Sequence, residues 1–178
     1  MSKLKFLFGI HNHQPLGNFD HVFEEMYDRC YRPYFKVLKQ FPQLKTAAHF
    51  SGCLLEWLKA HRPEYLEVIR GLVQNGQLEL LSGGFYEPIL SSLPEEDAVG
   101  QIRMMNRFLE VEFGCQPKGL WLTERIWSPQ LPKILAQAGI RYTIVDDTHF
   151  YYAGMLERQM HGYYLTESEG YSVGVFPI

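Results

Sequence analysis

Short apolar runs alternate with segments of helical periodicity along most of this chain, and this alternation limits the possible folds more than any other feature. Apolar runs without a strict polar alternation are typical of strands that are covered on both faces, as in parallel sheets. The repeated β-then-α order predicts an α/β fold with a parallel sheet and right-handed crossovers, either open or closed into a barrel. The five predicted strands are residues 4–10, 45–50, 77–82, 118–122 and 141–145.

Capping residues and prolines mark helices between the predicted strands. Asp20 and Ser128 stand where an N-cap is expected, and Ser92 with Glu95 has the spacing of a capping box. Pro33 lacks the backbone N–H that a helix needs, so we expect a kink near Tyr31. The predicted helices are residues 20–41, 52–60, 63–75, 93–112 and 129–138.

The pattern changes after Tyr151. Residues 163–167 and 172–177 indicate two further strands joined around Glu169 and Gly170, and residues 173–178 form an apolar run with no helix after it. A complete eight-unit barrel typically takes about 250 residues. We therefore expect residues 1–178 to be the N-terminal portion of a single barrel catalytic domain, with about five βα units plus a hairpin, and the later strands and C-terminal domains to be absent.

Composition excludes several classes of partner. The net charge of −3 and the pI near 6.2 offer no basic surface for nucleic acid or for membranes. The apolar run 6–10 is too short for the core of a signal peptide or for a membrane span. Three widely separated cysteines indicate buried thiols in a reducing compartment, so we predict a cytoplasmic protein that binds a small or neutral ligand. The sequence does not determine the oligomeric state, and a homo-oligomer is one of the possible states.

Polar residues gather where the predicted strands end. Because the carboxyl ends of parallel strands meet at one edge of a sheet, side chains that follow different strands converge on one ligand site. Glu79 lies inside the third strand, where a carboxylate needs either a nearby His or Arg or a ligand in the pocket. The other candidates are His11, His13, His49, Trp121, Glu124, Asp146, Asp147 and His149.

Glu124 stands between Trp121 and Trp127, just after the fourth predicted strand. One interpretation is structural, with Glu124 paired to Arg125 or another cation and both indoles filling the core. The other is functional, because a carboxylate beside aromatic faces suits a sugar ring.

Two other groups of polar residues also have more than one interpretation. His11 and His13 project to the same side of an extended chain, so they could bind a metal or a ligand hydroxyl or satisfy a loop, and we favour direct hydrogen bonding to a ligand. Asp146 and Asp147 suit a helix cap as well as a functional role.

Three segments resemble the first three sequence blocks of glycoside hydrolase family 57, and the likeness runs from about Phe6 to the last residue. The nearest likeness is to the 4-α-glucanotransferase and α-amylase members. It implies a distorted (β/α)7 barrel of the glycoside hydrolase/deacetylase type, retaining chemistry on α-1,4-glucans, and no cofactor or metal. The segments are residues 11–15 (HNHQP), 76–88 (GQLELLSGGFYEP) and 121–127 (WLTERIW).

The resemblance also implies residue roles. Glu124 would be the catalytic nucleophile that forms a glycosyl-enzyme, and the donor sugar site would be lined by His11, His13, Glu79 and Trp121. The family's general acid is an aspartate in a later block that has no match before Ile178, and Asp146 and Asp147 do not match it. We therefore expect the isolated chain to have no substantial amylase or glucanotransferase activity on α-glucans or maltooligosaccharides.

Two alternatives are kept. A metal-dependent carbohydrate deacetylase would use His11, His13 and either Asp146 or Asp147 as ligands, and Glu124 would lose its central role. A non-catalytic fragment or glucan-binding half-domain would leave residues 173–178 as an exposed apolar edge that is prone to aggregation.

Overall fold

The computed structural model describes residues 5–178 and contains seven strands and seven α-helices within that range. The strands are β1 (Gly9–Asn12), β2 (Thr46–Phe50), β3 (Leu78–Leu80), β4 (Gly119–Trp121), β5 (Tyr142–Val145), β6 (Tyr164–Ser168) and β7 (Tyr171–Pro177). The helices are α1 (Asp20–Met26), α2 (Arg32–Gln40), α3 (Gly52–His61), α4 (Pro63–Gln74), α5 (Glu95–Phe113), α6 (Leu131–Gln137) and α7 (Asp147–Tyr152).

The strands form two neighbouring sheets. The first has the order β1-β2-β3 and is parallel throughout, whereas the second has the order β4-β5-β7-β6, with only the β6–β7 pair antiparallel. A parallel bridge between Ser82 and Leu120 joins them, because the Ser82 amide donates to Gly119 O at 2.9 Å and the Trp121 amide donates to Ser82 O at 2.8 Å. The predicted parallel β/α order is therefore confirmed.

Helix α5 connects the apolar cores of the two sheets. Its buried residues recur every three or four positions, so they form one stripe along the helix. Ala98 and Ile102 pack into the core under the second sheet, whereas Met105, Leu109 and Phe113 pack into the core under the first. One amphipathic helix thus holds both halves of the fold together.

The first strand begins later than the sequence pattern predicted. We expected residues 4–10, of which residue 4 lies outside the described range, but β1 covers Gly9–Asn12 because only these residues align with β2. Phe6 and Leu7 are exposed instead, at 82% and 74%. As a consequence, His11 is a strand residue rather than a loop residue.

Three predicted helix caps are wrong. Asp20 is the first residue of α1, and no side chain caps that helix. The Ser92 hydroxyl donates to Ile89 O at 2.7 Å, and α5 begins after Pro94. Helix α6 begins at Leu131 rather than at residue 129, because Pro132 takes the first-turn position that suits proline, and Ser128 Oγ is buried without a partner.

Pro33 acts as predicted. A π-helical turn over Tyr27–Tyr31 interrupts the α-helical hydrogen-bond pattern between α1 and α2 just before Pro33, which has no N–H to continue that pattern.

The predicted hairpin is present, but its apolar strand is not an exposed edge. Strand β7 lies between β5 and β6, and Val173 and Val175 are only 1% and 6% exposed. Parallel pairing with β5 gives β7 a central position that its place in the sequence does not indicate. The expectation of an exposed apolar edge is therefore wrong for β7, whereas Ile178 beyond the strand is 59% exposed.

The cysteines are free, and Cys30 is exposed rather than buried as expected. No helix among residues 5–178 has both the length and the apolar character required to cross a bilayer.

The loop that follows β3 is fixed against the start of α3 at Gly52. The Gly52 amide donates to Phe85 O at 2.8 Å, and a Cβ at Gly52 would overlap both that oxygen and the Phe85 ring. We expect Gly52→Ala to lower the free energy of unfolding by about 1–3 kcal/mol, because neither the backbone nor the packed ring can move away freely. Urea denaturation measures this change.

Gly71→Ala is the matched control. Gly71 is an exposed residue of α4, and nothing lies within 4 Å of an added Cβ. Alanine there is expected to raise stability by about 0.5–1 kcal/mol, since it removes the helix penalty of glycine. Equal effects of the two substitutions would contradict the assigned contact.

Candidate active site

Three imidazoles surround one buried carboxylate at the carboxyl ends of β1 and β2. The side chain of Glu87 is 5% exposed. Its Oε1 lies 3.3 Å from His49 Nδ1 and 3.6 Å from His11 Nε2, and its Oε2 contacts His13 Nδ1. We call these four residues the imidazole–carboxylate cluster.

The strand register explains how the imidazoles meet. His11 and His49 are direct partners in the parallel pairing of β1 with β2, so their side chains project from the same face. His13 lies two residues after His11 and projects to the same side. The imidazoles of His11 and His49 join through their Nδ1 atoms at 2.9 Å.

Glu87 reaches the cluster from the loop after β3. Its backbone has a positive φ of 52°, which is uncommon for a residue other than glycine and costs free energy that the surrounding contacts must offset. The hydrogen bond from Gly52 to Phe85 O holds the loop on one side, and on the other side Gly83 approaches His49 so closely that an added Cβ would overlap Nε2. The loop therefore places a carboxylate where the strands alone place only bases.

Burial keeps two of the imidazoles neutral. His49 is fully buried, and desolvation, followed by the nearby His11 and His13, holds its pKa well below the usual 6.5. The pKa of His11 is lowered to about 4, chiefly by burial and further by His13 and Arg125. The pKa of Glu87 is raised by burial and by Glu124, although His13 acts in the opposite direction.

Trp121, at the end of β4, extends the cluster onto the second sheet. Its indole stacks on the His11 ring with centroids 4.6 Å apart and an interplanar angle of 13°. The guanidinium of Arg125 lies 5.7 Å from the centre of the indole and also pairs with Asp146. The second sheet therefore contributes an aromatic surface beside the histidines.

Glu124 lies in a 3-10 turn, Thr123–Arg125, directly after β4. Its side chain forms no ion pair with another described residue, since Arg125 binds Asp146 instead, and neither flanking indole is fully buried. The ion pair of the structural interpretation is therefore absent among the described residues, whereas its expectation of core packing holds in part, because Trp127 packs against the core under the second sheet. Glu124 and Arg125 both have a φ of 52°, and Glu124 is close enough to Glu87 to raise its pKa.

Glu79 stands apart from the imidazole–carboxylate cluster. In the sheet register it is level with Gly9 and Ala47, two residues before the His11–His49 level. We expected a nearby His or Arg, or a ligand, to balance Glu79, but its partner is the Tyr142 hydroxyl, which donates to Oε1 at 2.7 Å. Burial, together with this contact, raises the pKa of Tyr142.

A cleft of about 700 Å³ runs between the inner faces of the two sheets. Glu79, Tyr142 and Trp121 line it together with apolar residues that include Phe6 and Phe8. Because Trp121 also stacks on His11, the cleft meets the cluster at this indole.

His11, His13 and Glu87 are the one set among residues 5–178 whose ligand atoms lie close enough to share a metal ion, all within 4.8 Å of one another. This set differs from the one that the deacetylase alternative requires. Asp146 is bound to Arg125, and Asp147 begins α7. Among the described residues, neither aspartate has a ligand atom grouped with those of His11 and His13.

Sequence reasoning left two members of the cluster out of the site. His49 was recognised as a polar residue at a strand end but received no role. Glu87 lay within a motif without being selected, because a residue before proline is usually extended and nothing local predicts that it turns inward. Gly83 and Gly84 were the available signal, since paired glycines after a strand allow a close backbone approach.

Parallel strands that alternate with helices, with titratable residues at their carboxyl ends, are the arrangement found in (β/α) barrels and in related α/β folds. The model of glycosyl hydrolase family 57 matches residues 7–178, and the chain belongs to this family. The predicted family and the barrel fold are therefore confirmed.

The similar proteins are much longer than this chain. It is 49% identical over its full length to the 4-alpha-glucanotransferase of Thermococcus litoralis and 50% identical over 99% of its length to an alpha-amylase of Pyrococcus furiosus, and it spans 27% of each. The crystal structure of the Thermococcus litoralis enzyme superposes with a TM-score of 0.96 over 99% of this chain and 28% of that chain. The chain thus spans about a quarter of the length of these relatives.

The low pKa of His11 predicts a particular pH dependence. The folded protein binds a proton at His11 only near pH 4, whereas the unfolded chain binds it near the ordinary pKa of about 6.5. The contribution of His11 to stability is therefore present above about pH 6.5 and is lost as the pH falls towards 4.

We expect His11→Asn to show a shallower loss of stability than the unsubstituted protein between about pH 6.5 and 4. Urea unfolding across this range measures the two slopes. Both proteins retain Glu87, whose raised pKa acts in the opposite sense, and His49, whose lowered pKa acts in the same sense as that of His11. Parallel slopes, or an NMR titration midpoint of His11 near 6.5, would count against a neutral His11.

Proposed function

We propose that a protein built on this chain is a retaining glycosidase or transglycosylase that acts on α-1,4-glucans, with Glu124 as its nucleophile. One observation carries the proposal: a carboxylate without an ion-pair partner among the described residues follows β4, beside Trp121 and the imidazole–carboxylate cluster. The names of the Thermococcus litoralis and Pyrococcus furiosus relatives support the substrate class.

The proposed reaction has two steps. In the first, a Glu124 carboxylate oxygen bonds to the anomeric carbon while the glycosidic oxygen leaves with a proton from a general acid outside these 178 residues. In the second, the oxygen of water or of a glucan 4-hydroxyl bonds to the anomeric carbon, the ester bond to Glu124 breaks, and the general acid, now a base, takes the proton. Water gives hydrolysis, and a glucan hydroxyl gives transfer.

The proposed binding roles follow from placement. His11 and His13 face the open side of the cluster and would hydrogen-bond sugar hydroxyls. Trp121 would contact a sugar ring with the part of its indole that His11 leaves free. Glu79 would act further into the cleft, on a hydroxyl that also reaches Tyr142. Such contacts favour catalysis when they strengthen as the oxocarbenium ion develops.

The deacetylase alternative is disfavoured because Asp146 is engaged by Arg125. Stoichiometric zinc, with an activity that chelators abolish, would restore it. A glucan-binding half-domain differs from the proposed enzyme only in whether Glu124 reacts. The cytoplasmic location and the oligomeric state stay predictions.

The first test uses natural substrate. Because the expected general acid is not among residues 1–178, we expect the isolated chain to give no substantial turnover of maltooligosaccharides. Product analysis after long incubation measures this. Rapid turnover that Glu124→Gln abolishes would contradict the assignment of the general acid to a later segment.

The second test uses a donor that needs no general acid. A maltosyl fluoride with a further fluorine on its reacting ring expels fluoride without protonation, and its glycosyl-enzyme then breaks down slowly. We expect mass spectrometry to find one glycosyl adduct in the peptide that contains Glu124, and no adduct in Glu124→Gln.

Glu67→Gln is the control for the trapping experiment, because Glu67 is an exposed residue of α4 that pairs with Arg70 and with no other described residue. This variant should label as fully as the unsubstituted chain. An adduct on another carboxylate, or no adduct in a folded chain that binds maltotriose, would contradict the assignment of Glu124 as the nucleophile.

A further inference from the structure

Glu87 touches every imidazole of the cluster, although neither the sequence blocks nor the reaction described above gives it a role. Its carboxylate is 95% buried by side-chain area, and Oε1 has no hydrogen-bond partner of good geometry. A buried carboxylate without sufficient donors is costly, so its neighbours should direct their protons towards it.

The tautomer of His49 follows from its surroundings. Nε2 of His49 is buried against Gly83 and has no hydrogen-bond partner among residues 5–178, so a proton there would be an unsatisfied buried donor. Nδ1 lies 3.3 Å from Glu87 Oε1 and 2.9 Å from His11 Nδ1. The proton of His49 therefore belongs on Nδ1, where it donates to His11 and is attracted by Glu87.

The tautomer of His11 follows from that of His49. His11 accepts at Nδ1, so its single proton must lie on Nε2, which is 3.6 Å from Glu87 Oε1. His13 presents Nδ1 to Glu87 Oε2, and because a carboxylate can only accept, the neutral form of His13 carries its proton on Nδ1. The protons of His11 and His13 then face the Glu87 carboxylate, and the proton of His49 bridges to His11 while lying near Glu87 Oε1.

We propose that Glu87 is a positioning residue that fixes the tautomers of His11, His13 and His49, so that His13 presents an unprotonated Nε2 to the ligand. This nitrogen accepts a hydrogen bond from a sugar hydroxyl. It repels a carboxylate or phosphate group, as do the negative charges of Glu87 and Glu124. The inference deepens the proposed function, because it limits the donor sugar to one with a free hydroxyl and no anionic group at this position.

The test reads the tautomers directly, without sugar and without activity. Two-bond proton–nitrogen NMR correlations distinguish a protonated imidazole nitrogen from an unprotonated one. The measurement uses the uniformly ¹⁵N-labelled 178-residue chain in a chelating buffer, well above the ordinary histidine pKa of about 6.5. We expect His13 and His49 to be protonated on Nδ1 and His11 on Nε2.

Variants of Glu87 separate charge from shape. Glu87→Gln keeps the size but offers an amide donor, so the Nε2-protonated form of His13 should increase several-fold. Glu87→Asp keeps the charge and should retain the Nδ1 form. Glu67→Gln, which loses the same charge on exposed α4, should leave the imidazole signals unchanged.

A second arm links the tautomer to ligand choice. Maltose should bind more weakly to Glu87→Gln than to the unsubstituted chain. The second ligand is an analogue with a carboxylate in place of the primary hydroxyl. Its affinity relative to that of maltose should be higher for Glu87→Gln than for the unsubstituted chain. Nε2-protonated His13 in the unsubstituted chain, or an unchanged tautomer in folded Glu87→Gln, would overturn the proposal. If Glu87→Gln does not fold, the spectrum of the unsubstituted chain alone decides. The NMR result does not depend on Glu124. The tautomer proposal can therefore fail while adduct formation at Glu124 succeeds, and adduct formation can fail while the tautomers are as expected.

Discussion

The burial of the Glu87 carboxylate is the constraint on which the candidate active site depends. A desolvated negative charge requires donors, and the strand register supplies them by pairing His11 with His49 and extending the chain to His13. The same burial keeps His11 and His49 neutral, because no counter-charge is strong enough to offset desolvation. The burial of Glu87 therefore determines the packing, the hydrogen bonding and the protonation of the imidazoles together.

The loop after β3 makes this arrangement possible through its glycines. Gly52 admits the Phe85 carbonyl, and Gly83 admits the His49 ring, so the loop approaches β2 closely enough to bring Glu87 inward. The positive φ of Glu87 is the local cost of that approach. Helix α5 and the bridge at Ser82 then fix the second sheet, which carries Trp121 and Glu124, against the first.

The order of strands and helices was predictable because each depends on a pattern within about ten neighbouring residues. Helix α4 begins at Pro63 as predicted and ends one residue before its predicted boundary. Predictions failed where a distant partner decided the outcome. Strand β1 begins later than predicted because only Gly9–Asn12 pair with β2. Strand β7 is central because it pairs with β5 in parallel.

The sequence by itself determined the α/β order, the family blocks and the gathering of polar residues at strand ends, since periodicity, proline, glycine and motif spacing are local properties. Only the tertiary structure decided which polar residues touch. In the folded protein Arg125 pairs with Asp146 rather than with Glu124. Glu79 accepts a hydrogen bond from Tyr142, and Glu87 contacts the histidines. The physical reason is that an ion pair or buried hydrogen bond is set by atoms that are tens of residues apart in the chain, and only the register and packing of the folded sheets determine their distances.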